Sequence, residues 1–216
     1  MVQILIDKVS TFDGEQTESK DIQNIVENVM HRLNKADLFI ANNPVGVESR
    51  LQDMIQLLDQ DIQQSNDVLL LGMWGMGGVG KTTIAKAIYN KIGRNFEGRS
   101  FLANIREVWD ETTEKVNLQK QLLFDICKDM TTNIQSIESG KIILKDRLCH
   151  KRVLIVLDDV NTLDQLNALC GSCKWFGSGS RIIINTRDRH ILCGNRVNQI
   201  YEMKHIDENE SIELFS

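Results

Sequence analysis

The stretch that most constrains this chain is LLLGMWGMGGVGKTTIAKAIY, Leu69 to Tyr89, where an apolar strip passes through Gly72, Gly75, Gly77, Gly78 and Gly80 into a helical pattern. Glycine costs conformational entropy on folding, so such a cluster is tolerated where the backbone must turn sharply or approach another group closely. The spacing Gly75 to Thr82 is G-x-x-x-x-G-K-[ST], the phosphate-binding loop, set between an expected strand and an expected helix as that loop requires. Backbone N–H groups of Gly78, Val79, Gly80 and Lys81 can converge on an anion there, with Gly75 and Gly77 giving the turn its freedom. The following helix adds the partial positive charge of its N-terminus. Lys81 then reaches the β- and γ-phosphates, the Thr82 hydroxyl serves magnesium, and Thr83 lies near the α-phosphate.

The surrounding pattern supplies a sheet for this loop. Short apolar runs at 68–73, 100–105, 152–157, 181–185 and 199–203 read as strands, separated by helical stretches near 80–92, 117–130, 138–149, 162–170 and 207–216. Continuous apolar strands alternating with helices imply a parallel sheet covered on both faces. The expected fold is therefore an α/β, doubly wound parallel sheet of about five strands, of the P-loop NTPase type, with its ligand at the carboxyl ends of the strands.

Two further segments point to the same site. VLIVLDDV puts Asp158 and Asp159 at the end of an apolar strand, where the first can hold magnesium and the second can orient an attacking water. GSGSRIIINTRD ends another apolar strand in Thr186 and Arg187. An arginine there suits phosphate oxygens, while a surface ion pair with Asp188 or Glu202 is the competing reading.

Ahead of the sheet, ESKDIQNIVENVMHRLNK spaces Ile22, Ile25, Val26, Val29, Met30 and Leu33 as one apolar face of a helix. Pro44 and Gly46 mark a turn into a second helix with Leu51, Met54, Ile55 and Leu58 inward. The organisation expected is a lead-in and amphipathic helical linker over 1–40 and a nucleotide-binding domain over 41–216.

Charge and cysteine content narrow the partners. A net charge of −5 and a pI near 5.4 give no basic footprint for nucleic acid. The apolar runs are too short for a membrane span, and the N-terminal residues do not read as a signal peptide. An odd count of five cysteines suits a reducing, cytoplasmic setting. Cys170, Cys173, His190 and Cys193 have zinc-like ligand types, but the strand pattern of Arg181 to Thr186 holds its ends roughly 20 Å apart and argues against a closed site. Buried or half-buried structural thiols are expected instead.

The ordered set PVGVESR, GMGGVGKTT, FLANIREV, KRVLIVLDDV, GSGSRIIINTRDRHIL and YEMKHIDENESIELFS resembles the NB-ARC domain of plant disease-resistance proteins, the NBS-LRR receptors. FLANIREV and the Asn161 after LDDV are similar to the TIR-class branch. The resemblance implies an ADP/ATP-operated switch in immune signalling, at most a slow magnesium-dependent ATPase. It also implies TIR and leucine-rich-repeat domains as partners in full-length relatives, and self-association. By the same resemblance Arg187 is the sensor arginine, Asp159 serves the hydrolytic water, and Val45 and Val47 pass near the adenine. Asn185 departs from the usual threonine and is expected to tune the sensor loop. The chain ends before the segments that close the pocket in the family, as a fragment would. A metabolic P-loop ATPase or kinase is the alternative class, disfavoured by the lack of a second polar cluster for a phosphoryl acceptor; an inert interaction fragment is the third.

Overall fold

A computed structural model describes residues 37–40, 45–60, 67–109, 112–129, 132–193 and 197–204. The lead-in helix expected near 20–33 and the helix expected at 207–216 lie outside these residues. The compact unit that carries the sheet begins at Leu38.

Five strands form one sheet: β1 (Leu69–Trp74), β2 (Gly98–Leu102), β3 (Val153–Val160), β4 (Arg181–Thr186) and β5 (Gln199–Glu202). They run in the order β2-β3-β4-β1-β5, and every pairing is parallel. Such a sheet needs crossovers and cover on both sides, and the helices supply it. These are α1 (Val47–Gln60), α2 (Lys81–Ile92), α3 (Ile105–Val108), α4 (Thr112–Cys127), α5 (Ile137–Leu148) and α6 (Leu163–Cys170).

The apolar strands divide their side chains between two cores with a period of two, as a pleated strand must. Leu70, Ile155, Leu157, Ile182 and Ile184 face a cluster with Leu118 and Leu122 of α4, Leu144 and Leu148 of α5, and Leu166 and Leu169 of α6. Leu69, Leu71, Met73, Leu154, Val156 and Ile183 face the other, with Leu51, Met54 and Leu58 of α1 and Ile84 and Ile88 of α2. Of the four residues expected to point inward on α1, three are buried and Ile55 packs at the margin.

Polar groups join these layers at chosen points. Arg181, the first residue of β4, is 1% exposed, and its guanidinium donates to the carbonyls of Leu58, Asp67 and Ser180 at 3.0–3.1 Å. It thus places a cation among the last carbonyls of α1, where the helix dipole favours it. Asn90 near the end of α2 both donates to the Leu38 carbonyl and accepts from its N–H, at 2.8 and 2.7 Å, which fixes the segment entering the domain.

Three expectations shift in detail. The strand read at 100–105 occupies Gly98–Leu102, because Asn104 takes φ 51 and turns the chain into α3. The helix read at 117–130 begins at Thr112. The strand read to 157 continues through both aspartates to Val160, with an irregular register between Leu157 and Val160.

Candidate functional site

The loop from Gly75 to Gly80 leaves β1 at its carboxyl end and enters α2 through Gly80, whose φ of 91 is the left-handed region. Gly78 shares that region at φ 81. A side chain on an L-residue costs roughly 1–2 kcal/mol in that conformation, so glycine at both positions follows from the turn itself. Gly75 and Gly77 answer to space. A Cβ on Gly75 would sit 3.1 Å from Met203 Cβ, and one on Gly77 would sit 3.2 Å from Arg187 Nη1. The first N–H groups of α2 have no intrahelical carbonyl to bond, and they open on a cleft of about 270 Å3. Gly77, Gly78, Gly80, Lys81, Thr82 and Thr83 line it from the loop and α2, Asp158 and Asp159 from β3, Asn185 and Arg187 from the end of β4, and Asn104 and Glu107 from the segment after β2.

Lys81 is 7% exposed and donates to the carbonyls of Gly75 and Met76, both at 2.7 Å. Burial pulls its ammonium below the usual 10.5 and Arg187 adds to that, while Asp159 and Asp158 pull the other way. Thr82 donates its hydroxyl to Asp158 Oδ1 at 2.9 Å. Asp158 is 1% exposed, and the Asn185 amide also donates to its Oδ1. Asn185, 1% exposed near the carboxyl end of β4, thus hydrogen-bonds the metal-candidate pair directly.

Magnesium takes hard oxygen ligands and typically binds one or two protein groups with the rest from phosphate and water. The Thr82 hydroxyl and the Asp158 carboxylate are such donors, side by side at the N-terminus of α2. Among the described residues no cluster of three or more His, Cys, Asp or Glu side chains offers a full cage. The residues present fit a magnesium held largely by a phosphate ligand.

Asp159 occupies the irregular stretch of β3 with φ 56, a conformation that aspartate tolerates better than most residues. Its carboxylate accepts from two guanidinium groups. Arg187 Nε lies 3.1 Å from Oδ1 and Arg106 Nη2 lies 3.0 Å from Oδ2. The surface pairs read for Arg187 with Asp188 or Glu202 are replaced by this one, because β4 lies between β1 and β3 and its end faces the loop.

Not every residue singled out converges. Val47, the first residue of α1, packs against the core on the α2 face, as does Val79, and neither they nor Val45 line the cleft. Gly75 contributes its carbonyl to Lys81 rather than a wall. Among the cysteines Cys170 is buried but Cys173 and Cys193 are exposed, since both belong to one-turn connections at the surface. Asn104, Arg106 and Glu107 belong to no motif that singles them out in the sequence. Their signal was positional: they follow the carboxyl end of β2, where ligands of such sheets bind.

Comparisons with known proteins agree with this geometry. The NB-ARC domain family matches residues 48–216. Disease resistance protein RUN1 of Vitis rotundifolia is 45% identical over 201 residues, covering 92% of this chain and 15% of that protein. TMV resistance protein N of Nicotiana glutinosa is 40% identical over 215 residues, covering 96% of this chain and 18% of that protein. The chain thus spans less than a fifth of the length of these relatives. Among solved structures, Cdc6p of Pyrobaculum aerophilum superposes with a TM-score of 0.61 at 11% identity over 84% of this chain and 51% of its own. The ORC2 protein of Aeropyrum pernix, solved as ADPNP-ADP complexes, gives 0.54 at 11% identity over 85% and 54%. At that identity these two speak for the fold alone. With a phosphate-binding loop, a strand-end aspartate pair and a family match over most of its length, the chain belongs to the NB-ARC family and carries its nucleotide-binding domain.

Proposed function

We propose that this domain binds ADP and ATP with magnesium and works as a conformational switch, with slow or absent hydrolysis, within a TIR-class plant immune receptor acting in the cytoplasm. The observation that carries the reading is the convergence of Lys81, the Thr82–Asp158 pair and Arg187 on one cleft at the carboxyl ends of β1, β3 and β4. In this reading the loop amides and Lys81 hold the phosphates, and Thr82 and Asp158 hold magnesium, which would neutralise phosphate charge when bound. Val45 and Val47, outside the phosphate cleft, are assigned to the adenine by the family resemblance. Arg187 reads the third phosphate. A ligand shifts a conformational equilibrium only by its differential affinity for the two states, so a switch needs at least one group that tells ATP from ADP. Slow turnover is supported by Asp159, whose oxygens already accept from Arg106 and Arg187 and must be shared before one can orient a water. Partnership with TIR and leucine-rich-repeat domains and self-association belong to the same proposal, supported by the resistance-protein relatives.

The test is titration calorimetry with ATP and ADP in magnesium buffer. Arg187 is half exposed, so Arg187→Ala should cost ATP about tenfold, the low end for bonds to charged groups, and leave ADP within about twofold. Equal losses for both nucleotides would make Arg187 structural and remove the sensor from the account.

A further inference from the structure

Asp159 is bound in a way that its expected role in orienting water does not require. Its carboxylate is 14% exposed and takes two guanidinium groups: Arg187 from the end of β4 spans it, with Nε 3.1 Å from Oδ1 and Nη2 3.5 Å from Oδ2, and Arg106 from α3 shares Oδ2 at 3.0 Å. The two arginines are not equivalent. Arg187 lines the cleft and lies against the phosphate loop, with Nη1 3.2 Å from the place of a Cβ on Gly77, whereas Arg106 is not among the lining residues.

We propose that Asp159 is a rest for Arg187, and that Arg106 sets how firmly the rest holds, so that Arg106 tunes the preference for ATP over ADP without touching the nucleotide. The proposal builds on the reading of Arg187 as the group that meets the third phosphate. To do so Arg187 must exchange the Asp159 carboxylate, which it contacts at both oxygens, for phosphate oxygens. Arg106 eases that exchange in two ways. Two guanidinium groups on one carboxylate repel each other, which weakens the hold on Arg187. Once Arg187 has moved, Arg106 remains on Oδ2 and keeps a neutralised Asp159 beside an incoming anion. Without Arg106 both effects reverse, and both disfavour the triphosphate. Arg106 is a positioning residue in this scheme, acting only through Asp159.

That restriction yields a test by double-mutant cycle, read as the ratio of ADP to ATP dissociation constants by calorimetry with magnesium. Arg106→Gln should lower the preference for ATP about fivefold, as for a partly exposed charge pair, and Arg106→Lys should restore part of it. Asp159→Asn, in a backbone conformation that asparagine favours, should raise the preference by a similar factor. The double variant should match Asp159→Asn within about twofold. An unchanged ratio in Arg106→Gln would overturn the proposal. So would a further fivefold loss when Arg106→Gln is added to Asp159→Asn, which would show that Arg106 meets the phosphate itself. Arg187→Ala distinguishes a deeper failure: if it leaves the ratio unchanged, the sensor reading fails, and the proposal falls with it.

Discussion

Asp125→Asn should stabilise this domain at neutral pH and remove part of its pH dependence. Asp125 lies on α4 and accepts at 2.6 Å from the hydroxyl of Ser100, which is fully buried in β2. The contact ties α4 to the strand that leads to Asn104 and Glu107 in the cleft and to Arg106 on Asp159. Burial pushes the Asp125 carboxyl up from 3.8 to about 6, and the Ser100 hydrogen bond and the Lys128 charge only partly oppose it. The sign is set by which state holds the proton more tightly. The folded value lies above the unfolded one, so the folded state is favoured while Asp125 is protonated, and stability falls as pH rises from 3.8 through about 6.

The gap between those values is worth roughly 3 kcal/mol once both states are ionised, of which about 1.4 kcal/mol is lost between pH 5 and pH 8. Asparagine stays neutral and its carbonyl can still accept from Ser100, so the variant escapes this loss. Urea unfolding at pH 5 and pH 8, compared at unchanged m-value, should show the variant more stable at both. Its advantage should be larger at pH 8 by about 1.4 kcal/mol. An advantage equal at the two pH values, or a wild-type chain that is the more stable at pH 8, would refute the assignment of a buried, high-pKa carboxyl to this position.

Removing the shared acceptor of Thr82 and Asn185 should act on the metal rather than on the loop. Asp158→Ala is expected to weaken ATP binding about tenfold in magnesium, from one lost charged contact, and to change ADP binding little when magnesium is chelated; calorimetry with and without chelator checks both. Gly80→Ala places a side chain at φ 91 with nothing within 4 Å of its Cβ, so its cost is backbone strain alone. A loss of about 1–2 kcal/mol in urea unfolding follows, and an unchanged midpoint would contradict the turn geometry.

Much of the sheet was legible because its strands are uninterrupted apolar runs. RIIIN and VLIVL admit few readings other than a strand covered on both sides. Their ends were less legible. Asp158 and Asp159 look like a turn by composition, yet both belong to β3, which is irregular across them and resumes its pairing with β4 at Val160. Asn104 looked like strand until its left-handed φ ended β2. In the site, the glycine spacing and the acid pair could be read locally. The partner of Arg187 could not, because Asp159 is 28 residues away and meets it only through the β3-β4-β1 order. Arg106 was hidden for the same reason: its role depends on a neighbour across the sheet, not on residues beside it in FLANIREV.

The central claim is that the loop from Gly75 to Thr83 holds nucleotide phosphates, and Lys81 gives its most direct test. The ammonium already donates to two loop carbonyls, and its third N–H is the charge-assisted donor assigned to the phosphates. Such a contact is worth about 1.5–3 kcal/mol. Titrating purified wild-type and Lys81→Ala protein with ATP and ADP in magnesium buffer should show submillimolar binding for the wild type and a loss of about tenfold or more for the variant. Equal affinities in two well-folded proteins would contradict the phosphate-loop assignment, and with it the switch.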